Sequence, residues 1–283
     1  MRQKRALRIA IQGEPGSNSH AATTALLGQQ ELVACAQSAQ VFDALDSGRA
    51  DAAVLPIENS LHGSVAEHYD LLLRHSVAVI AELTLRIQHS LIAAPGTTME
   101  SVRRVFSHPV ALSQCRGFFS AHTEIEAVSF YDTAGAVKYL LAENLLGSAA
   151  IAREDSAAIY GGVVLARGLE DDPQNFTRFF LLAPQAASES LRPEKATGQK
   201  IDKMSLAFAV EHRPGSLVAV LQSLAALGVD LTRIESRPVP GRPWEYIFYL
   251  DLRIQQEKLA DAVLSTLRGQ CTMVRELGRY LAG

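Results

Sequence analysis

Short apolar runs alternate, along the first part of the chain, with segments whose apolar residues recur at helical spacing. A short apolar run bounded by turn residues is typical of a buried strand, and the helical spacing is typical of a helix that covers a sheet. This βα rhythm predicts an α/β fold. The predicted strands of this part are residues 7–12, 32–36, 52–57, 77–83, 85–94, 105–106, 124–130 and 149–152.

A different pattern follows residues 184–200, which are rich in Ala, Ser, Glu, Lys and Pro and predict a solvated linker. The order of the later elements is β-α-β-β-α-β, which predicts a ferredoxin-like domain. Its strand patterns lie at 202–210, 229–238, 244–252 and about 271–277, and its helical patterns at about 215–227 and 256–268.

The two patterns predict two domains, at residues 6–183 and 201–283. Chain crossings near Thr84 and after about Tyr160 would divide the first domain into two lobes. These lobes would be residues 6–83 plus 160–183, and residues 84–159.

The run Gln174–Leu182 predicts a central strand, because both of its faces become apolar after Arg178. Alternation places Thr177 and Phe179 on one face and Arg178 on the other. A hydroxyl and a guanidinium beside a dry core are suited to holding a small anion. The alternative is structural, since Thr is a natural strand residue and Arg can lay its stem over apolar surface.

Further candidates lie where strands give way to helices. Helix starts near Ser17–Ser19 and at Thr133–Ala134–Gly135 offer unpaired N–H groups that can hold a carboxylate. Glu58–Asn59–Ser60 follows a buried strand, where ligands of open α/β sheets bind, and Ser107–His108 lies at a similar turn. A capped loop and a structural histidine are the alternatives for these two segments.

Composition excludes several classes of function. The 283 residues carry a formal net charge of −3 and have a pI near 6.2, so no basic field for nucleic acid is expected. No phosphate-binding glycine loop or metal-ligand spacing is present, and no run approaches membrane-spanning length. The three distant cysteines and the lack of an apolar stretch after the basic start predict a cytoplasmic protein.

Six motifs, in register over nearly the whole chain, resemble those of prephenate dehydratases, the enzymes of phenylalanine synthesis. The motifs are Gly13-Glu14-Pro15-Gly16-Ser17, Pro56-Ile57-Glu58-Asn59-Ser60, Ser107-His108-Pro109, Asp132-Thr133-Ala134-Gly135, Asn175-Phe176-Thr177-Arg178-Phe179 and Glu235-Ser236-Arg237-Pro238. The resemblance implies a two-lobed catalytic domain similar to type II periplasmic binding proteins, followed by an ACT domain. It also implies elimination of carbon dioxide and water from prephenate, with neither a cofactor nor a metal.

The resemblance implies a role for each matching residue. Thr177 is the catalytic residue of the family's Thr-Arg-Phe motif. The residues expected to bind substrate are Ser17, Ser19, Asn59, Ser60, Ser107, His108, Thr133, Ala134, Gly135, Arg178 and Phe179. The residues expected to bind phenylalanine, at an interface between ACT domains of a homodimer or homotetramer, are Gly215, Ser216, Leu217, Val218, Glu235, Ser236, Arg237 and Pro238.

Two alternatives remain open at the level of sequence. Asn18 stands where the family usually has an aromatic residue, and Val110 where many members have Gln. The first departure bears on the choice between prephenate and its amino counterpart arogenate, so an arogenate dehydratase is one alternative. A two-lobed amino-acid sensor without catalysis is the other.

Overall fold

The computed structural model describes residues 5–193, 201–239, 241–242 and 244–283. Its contacts divide the chain into two compact units. The first unit is the chain up to Leu71 together with Leu83–Phe179, and the second is Leu72–Glu82 together with Phe180–Gly283. None of the described helices is long and apolar enough to cross a membrane.

Strands and helices alternate up to residue 184. The strands are β1 (Arg8–Gln12), β2 (Glu31–Cys35), β3 (Ala52–Asn59), β4 (Gly63–Ser64), β5 (Val77–Arg86), β6 (Ser90–Ala93), β7 (Arg104–Ser107), β8 (Glu126–Ser129), β9 (Ser148–Ala152), β10 (Val163–Arg167) and β11 (Phe176–Pro184). The helices are α1 (Asn18–Leu27), α2 (Ser38–Asp46), α3 (Ala66–Arg74), α4 (Pro109–Ser113), α5 (Arg116–Ala121), α6 (Thr133–Ala142) and α7 (Asp155–Tyr160).

These strands form two sheets, which we call the sheets of lobe one and lobe two. The sheet of lobe one has the order β2-β1-β3-β11-β5, with β4 paired to the end of β3 and β1 parallel to both β2 and β3. The sheet of lobe two has the order β10-β6-β9-β7-β8, in which β7 is parallel to β8 and β9. The predicted α/β class is confirmed, and each of the two predicted lobes contains one of these sheets.

The sheet of lobe two is covered on both faces, as its strand sequences require. Leu91 and Ile151 belong to one buried cluster, while their neighbours Ile92 and Ala150 belong to another. Because successive side chains of a strand point to opposite faces, these two clusters are the two sides of the sheet.

The crossings between the lobes lie later than the sequence predicts. The predicted strand break at Thr84 is wrong, because β5 continues to Arg86 and the chain leaves the sheet at residues 87–89. Threonine is a good strand former, so it does not end the strand. The return crossing is residues 168–175, because the unpredicted strand β10 keeps residues 163–167 in lobe two.

The second unit contains the predicted ferredoxin-like domain. Its elements are β12 (Lys203–Ala209), α8 (Ser216–Ala226), β13 (Asp230–Pro238), β14 (Tyr246–Arg253), α9 (Glu257–Gln270) and β15 (Met273–Tyr280). The sheet order β13-β14-β12-β15 is that of a ferredoxin-like fold, and both helices pack on one core through residues such as Val220 and Val263. This prediction is confirmed.

The segment Leu72–Glu82 groups with this domain, which the sequence pattern does not predict. Lys203 Nζ lies 2.8 Å from Glu82 Oε1, and both side chains are buried. A Cβ atom at Gly278 would lie 2.1 Å from the Val79 carbonyl oxygen, so only glycine allows β15 to approach β5 this closely. Of the predicted linker, residue 184 ends β11 and Gln185–Ala187 is a 3-10 turn, while 194–200 lie outside the described residues. The extent of the two predicted domains stays a prediction.

Candidate functional site

A cavity of about 380 Å3 opens in the first unit, beside the ends of strands from both lobes. Seven of the predicted site residues line it: Ser17, Ser19, Asn59, His108, Thr133, Thr177 and Phe179. The other lining residues are Gln12, Gly13, Asn18, Ala36, Pro56, Val65, Ile87, His89, Val110, Ala111, Gln114, Tyr131 and Asp132. This is the size of an ordinary small-molecule site.

Thr177 is held at the wall of the cavity by Asn59. The Asn59 Nδ2 group donates to Thr177 Oγ1 at 2.9 Å and also lies 2.7 Å from Asn175 Oδ1. The Asn59 Oδ1 atom accepts from the backbone N–H groups of Leu61 and His62, each at 3.0 Å. Because Thr177 Oγ1 accepts from Asn59, the threonine hydroxyl hydrogen remains available to a ligand.

Ser60 fixes the backbone at the start of β11 rather than lining the cavity. Its N–H donates to the Phe176 carbonyl at 2.8 Å, and its Oγ donates to the Gln174 carbonyl at 3.0 Å. The Phe176 N–H donates back to Ser60 Oγ at 2.9 Å. The backbone that carries Thr177 is therefore held from the end of β3.

Four more predicted site residues lie outside the lining. Ser107 is fully buried and donates to the Ile151 carbonyl, so it joins β7 to β9. Ala134 is buried, and the Gly135 N–H is taken by Asp132 Oδ1 at 2.7 Å. Arg178 lies on the face of β11 opposite Thr177, as alternation predicts. None of these four residues lines the cavity, so their predicted contact with substrate stays a prediction.

Two helix starts meet the cavity and supply its anion-binding potential. Ser17 caps α1 by accepting from the His20 N–H, and Asp132 caps α6. The first N–H groups of a helix have no partner within it and carry partial positive charge. The Asn18 and Thr133 ends of these helices can therefore hold a carboxylate.

Asp132 is the one carboxylate among the described lining residues. Burial raises its pKa, against the opposing effects of the Gly135 and Glu14 backbone N–H groups and of His108. A Cβ atom at Gly13 would lie only 2.6 Å from Asp132 Oδ2, so position 13 requires glycine. Partial burial beside the cavity lowers the pKa of His108.

Glu14 joins the two lobes at the rim. It accepts from the Tyr131 hydroxyl at 3.1 Å and from Lys138 Nζ at 3.0 Å. Burial and the nearby Glu14 raise the pKa of Tyr131 to about 12, so its hydroxyl stays a donor. The turn containing Glu14 is further tied to lobe two by the Tyr160 hydroxyl, which donates to the Pro15 carbonyl at 2.8 Å.

A chain of imidazole and amide groups includes the lining residues His89 and Gln114. His89 Nε2 lies 2.8 Å from Gln114 Oε1, and Gln114 Nε2 lies 3.1 Å from His62 Nδ1. His62 belongs to lobe one, Gln114 to lobe two and His89 to the first crossing. Burial lowers the pKa of His89, which keeps its ring neutral.

The described lining includes neither lysine nor arginine. No group of three or more potential metal ligands among His, Cys, Asp and Glu occurs in the part of the chain that the structure describes. None of the three cysteines lines the cavity, and burial raises the pKa of the Cys115 thiol to about 12. Any anion here is therefore met by helix ends, hydroxyls, amides and imidazoles.

Sequence reasoning missed four lining residues that carry chemistry: Tyr131, Asp132, His89 and Gln114. Asp132 is visible in the sequence as a helix cap, and Tyr131 precedes it. His89 and Gln114 carry no local signal, because His89 lies at the crossing between the lobes and Gln114 meets it from lobe two.

A smaller cavity of about 120 Å3 lies in the second unit at the start of α8. Of the residues predicted to bind an effector, Ser216 and Leu217 line it, together with Arg213 and Tyr246. Gly215 has a φ of +84°, a backbone conformation that favours glycine. Val218 is 56% exposed, and it and the β13 residues 235–238 do not line this cavity.

Comparison with known proteins connects both units to one family. The sequence model described as prephenate dehydratase matches residues 9–187. "Arogenate dehydratase/prephenate dehydratase 2, chloroplastic" of Arabidopsis thaliana is 38% identical over 97% of this chain and 72% of its own length.

Two solved structures resemble the chain over almost its whole length. Prephenate dehydratase of Arthrobacter aurescens in complex with L-Phe has a TM-score of 0.83 and 30% identity, covering 97% of this chain and 90% of its own. A structure titled "GqqA- a novel type of quorum quenching acylases" has a TM-score of 0.85 and 31% identity, covering 98% of both chains. On the family match and these relatives together, this chain belongs to the prephenate dehydratase family.

Proposed function

We propose that this protein is a carbon–oxygen lyase that converts prephenate to phenylpyruvate in phenylalanine biosynthesis. The C–O bond to the ring hydroxyl and the bond to the ring carboxylate both break, and the electron pair left by carbon dioxide completes the aromatic ring. Hydroxide leaves with a proton as water. The observation that carries the proposal is Thr177, whose hydroxyl lines the cavity while its oxygen accepts from Asn59.

Thr177 assists departure of the hydroxyl as a hydrogen-bond donor. A threonine is too weak an acid to lose its proton fully, so its effect is to stabilise negative charge that develops on the leaving oxygen. The bond from Asn59 strengthens this effect, because a hydroxyl whose oxygen accepts a hydrogen bond is a better donor. Solvent ultimately supplies the proton that makes water.

The lack of lysine and arginine in the described lining suits the decarboxylation. The ring carboxylate loses its charge in the transition state, so a lysine or arginine paired with it would stabilise the ground state more than the transition state. The described lining supplies no such cation. The other carboxylate keeps its charge throughout, and the starts of α1 and α6 suit it.

Arogenate is the second candidate substrate, because the name of the Arabidopsis relative gives arogenate beside prephenate. Arogenate carries an ammonium group in place of the keto oxygen, and Asp132 is the lining carboxylate that suits an ammonium. Parallel assays decide between the substrates: phenylpyruvate formed from prephenate, and phenylalanine formed from arogenate. We expect prephenate to have the higher kcat/KM, and the reverse order assigns the protein as an arogenate dehydratase.

An acylase is a candidate of a different class, because of the likeness to the structure titled as one. His62 Nε2 lies 3.3 Å from Ser113 Oγ, the spacing of a weak nucleophile–base pair. The Ser113 hydroxyl, however, donates to the Val110 carbonyl at 2.8 Å, so its proton is not directed to His62. Release of a carboxylic acid from N-acyl amides that is lost in Ser113→Ala, with no turnover of prephenate or arogenate, overturns the lyase proposal. Domain closure on an amino acid without any turnover assigns a sensor instead.

We further propose that phenylalanine regulates the enzyme through the smaller cavity. The Arthrobacter structure contains L-Phe. At about 120 Å3 the cavity of one chain is below the 300 Å3 or so of a typical ligand site. The residues Glu235–Pro238 of a second subunit would complete it, as the family resemblance implies, so the proposal includes a homodimer or homotetramer.

Gly215→Val tests the effector site, with Gly228→Val as its matched control. Both glycines have positive φ and open space around them, at opposite ends of α8, so the backbone strain of the two variants is similar. We expect calorimetry to show loss of phenylalanine binding in Gly215→Val alone, with turnover in the absence of phenylalanine retained. If Gly215→Val binds phenylalanine as tightly as the parent and Gly228→Val do, the effector site lies elsewhere.

A further inference from the structure

A buried amide lies behind the Asn59–Thr177 hydrogen bond. Asn175 immediately precedes β11 and has no exposed surface. Its Oδ1 atom accepts from Asn59 Nδ2 at 2.7 Å, the shortest of the three contacts that this nitrogen makes. Asn175 does not line the cavity, so it can act on a ligand only through its neighbours.

The surrounding hydrogen bonds determine the orientation of both amides. Asn59 Oδ1 is occupied by two backbone N–H groups, so Asn59 must turn its nitrogen toward β11. Asn175 must then present its oxygen to that nitrogen, since two amide nitrogens cannot hydrogen-bond to each other.

This orientation leaves an amide nitrogen unpaired. Asn175 Nδ2 is buried and has no hydrogen-bond partner among the described residues. An unpaired buried donor reduces stability, and an apolar side chain of the same size would avoid that loss. The Asn175 amide therefore lowers stability while it contacts the residue that bonds Thr177, and such a costly buried group indicates a functional role.

The backbone at this point is held independently of the Asn175 side chain. The Asn175 carbonyl accepts from the Ile87 N–H at 2.8 Å, and Ser60 bonds the backbone on either side. The Asn175 side chain can therefore be changed while the path of the strand is retained.

We propose that Asn175 is a positioning residue: its buried carboxamide oxygen holds Asn59 in the orientation that donates to Thr177, so that the Thr177 hydroxyl hydrogen is presented to the leaving group. The proposal rests on the lyase function. Without the Asn175 acceptor, the Asn59 nitrogen is free to shift toward the Phe176 carbonyl, 3.1 Å away, and the threonine hydroxyl loses its fixed direction.

The test compares Asn175→Leu and Asn175→Asp in the full chain. Leucine removes both the acceptor and the unpaired donor, so we expect kcat to fall roughly 10- to 100-fold with KM unchanged, while Tm stays the same or rises. Aspartate retains the acceptor and buries a charge, so we expect it to keep more of the parent kcat but to lower Tm. Gln174→Leu is the matched control, an amide replaced by leucine at the exposed neighbouring position, and should retain the parent kcat and Tm.

A double-mutant cycle with Asn59→Ala separates positioning from packing. If Asn175 acts through Asn59, Asn175→Leu causes no further loss of kcat in the Asn59→Ala protein. Full additivity, a normal kcat in Asn175→Leu, or a kcat loss that follows a fall in Tm would overturn the proposal. Should Asn175→Leu fail to fold, Asn175→Ser, whose hydroxyl is too short to reach Asn59, takes its place with the same expectations for kcat and KM.

The parent protein keeps the two proposals distinguishable. Absence of turnover in the parent on both prephenate and arogenate refutes the lyase function itself. Turnover in the parent with a normal kcat in Asn175→Leu refutes only the positioning role.

Discussion

At the scale of single residues, the site depends on a few atoms whose neighbours leave them one orientation. Asn59 is bonded at both ends of its amide, and Thr177 is β-branched, which restricts its side-chain torsion. The hydroxyl is therefore oriented before any ligand arrives, which is how an enzyme avoids reorganisation during the reaction.

Gly13 is the residue whose replacement best tests the turn before α1. Gly13→Ala combines a φ of +97° with a Cβ atom 2.6 Å from Asp132 Oδ2, and Asp132 cannot move without losing its bond to the Gly135 N–H. We expect a cost of about 1–2 kcal/mol for the backbone and about 1 kcal/mol more for the disturbed cap.

Gly28→Ala is the control for this prediction. Gly28 also has positive φ but has nothing within 4 Å of its Cβ position, so only the backbone cost applies. Denaturant unfolding of both variants measures the difference, and turnover should fall only in Gly13→Ala. Equal unfolding free energies would show that the Asp132 contact is unimportant.

Much of the residue-level site follows from sequence, and the rest depends on long-range contacts. Thr177 and Asn59 could be predicted locally, because each is a polar residue at an end of a buried strand, where ligands of open α/β sheets bind. Gln114 and His89 could not be predicted, because their meeting depends on where the chain crosses between lobes. Ser107 was predicted to contact substrate, and the structure shows it fully buried with its hydroxyl on the Ile151 carbonyl, because a serine at a strand end can also bond within the core.

At the scale of elements, the ferredoxin-like domain is the best-predicted part, because apolar residues recur along each of its strands and helices at the spacing typical of that element. The lobe boundaries were predicted less well. Thr84 was expected to break a strand that continues to Arg86, and β10 was not expected at all. The grouping of Leu72–Glu82 with the second unit rests on partners more than 100 residues away, such as Lys203, which no local pattern reveals.

The buried Lys203–Glu82 pair gives an element-scale prediction. The two side chains are only 11% and 3% exposed, and Glu82 also accepts from the Gly283 N–H at 3.1 Å. Lys203→Met leaves the carboxylate buried without its cation, so we expect a loss of about 3–5 kcal/mol in the free energy of unfolding. The double variant Glu82→Leu/Lys203→Met should recover most of it. If Lys203→Met alone leaves the free energy of unfolding unchanged, the pair does not hold β5 and β12 together.

At the scale of the whole molecule, stability should depend on pH through buried imidazoles. His68 is 1% exposed, with Nδ1 at the Pro56 carbonyl and Nε2 2.9 Å from Ser38 Oγ. Burial lowers its pKa below the ordinary 6.5, against the opposing effects of the Pro56 carbonyl and of the nearby Glu67. Below pH 6.5 the His68 imidazole binds a proton in the unfolded chain but not in the folded chain, so the folded state loses stability as the pH falls.

Comparison of the parent with His68→Gln isolates this effect. Above about pH 7 the difference in unfolding free energy between the two proteins should be constant. The reason is that the His68 imidazole is then neutral in both the folded and the unfolded parent. Below pH 6.5 the parent should lose stability relative to the variant by up to about 1.4 kcal/mol per pH unit. A difference that is independent of pH between 8 and 5 would contradict a neutral buried His68.

The central claim is that one hydroxyl, oriented by Asn59, assists departure of the leaving group in a cavity whose described lining contains neither lysine nor arginine. Comparison of kcat for the parent, Thr177→Ser and Thr177→Val on prephenate tests it most directly. Valine has nearly the shape of threonine but no hydroxyl, so we expect kcat to fall about 10²–10³-fold or more, while serine keeps part of the rate. Near-normal turnover in Thr177→Val would contradict the account, because Thr177 would then serve only to pack the wall of the cavity.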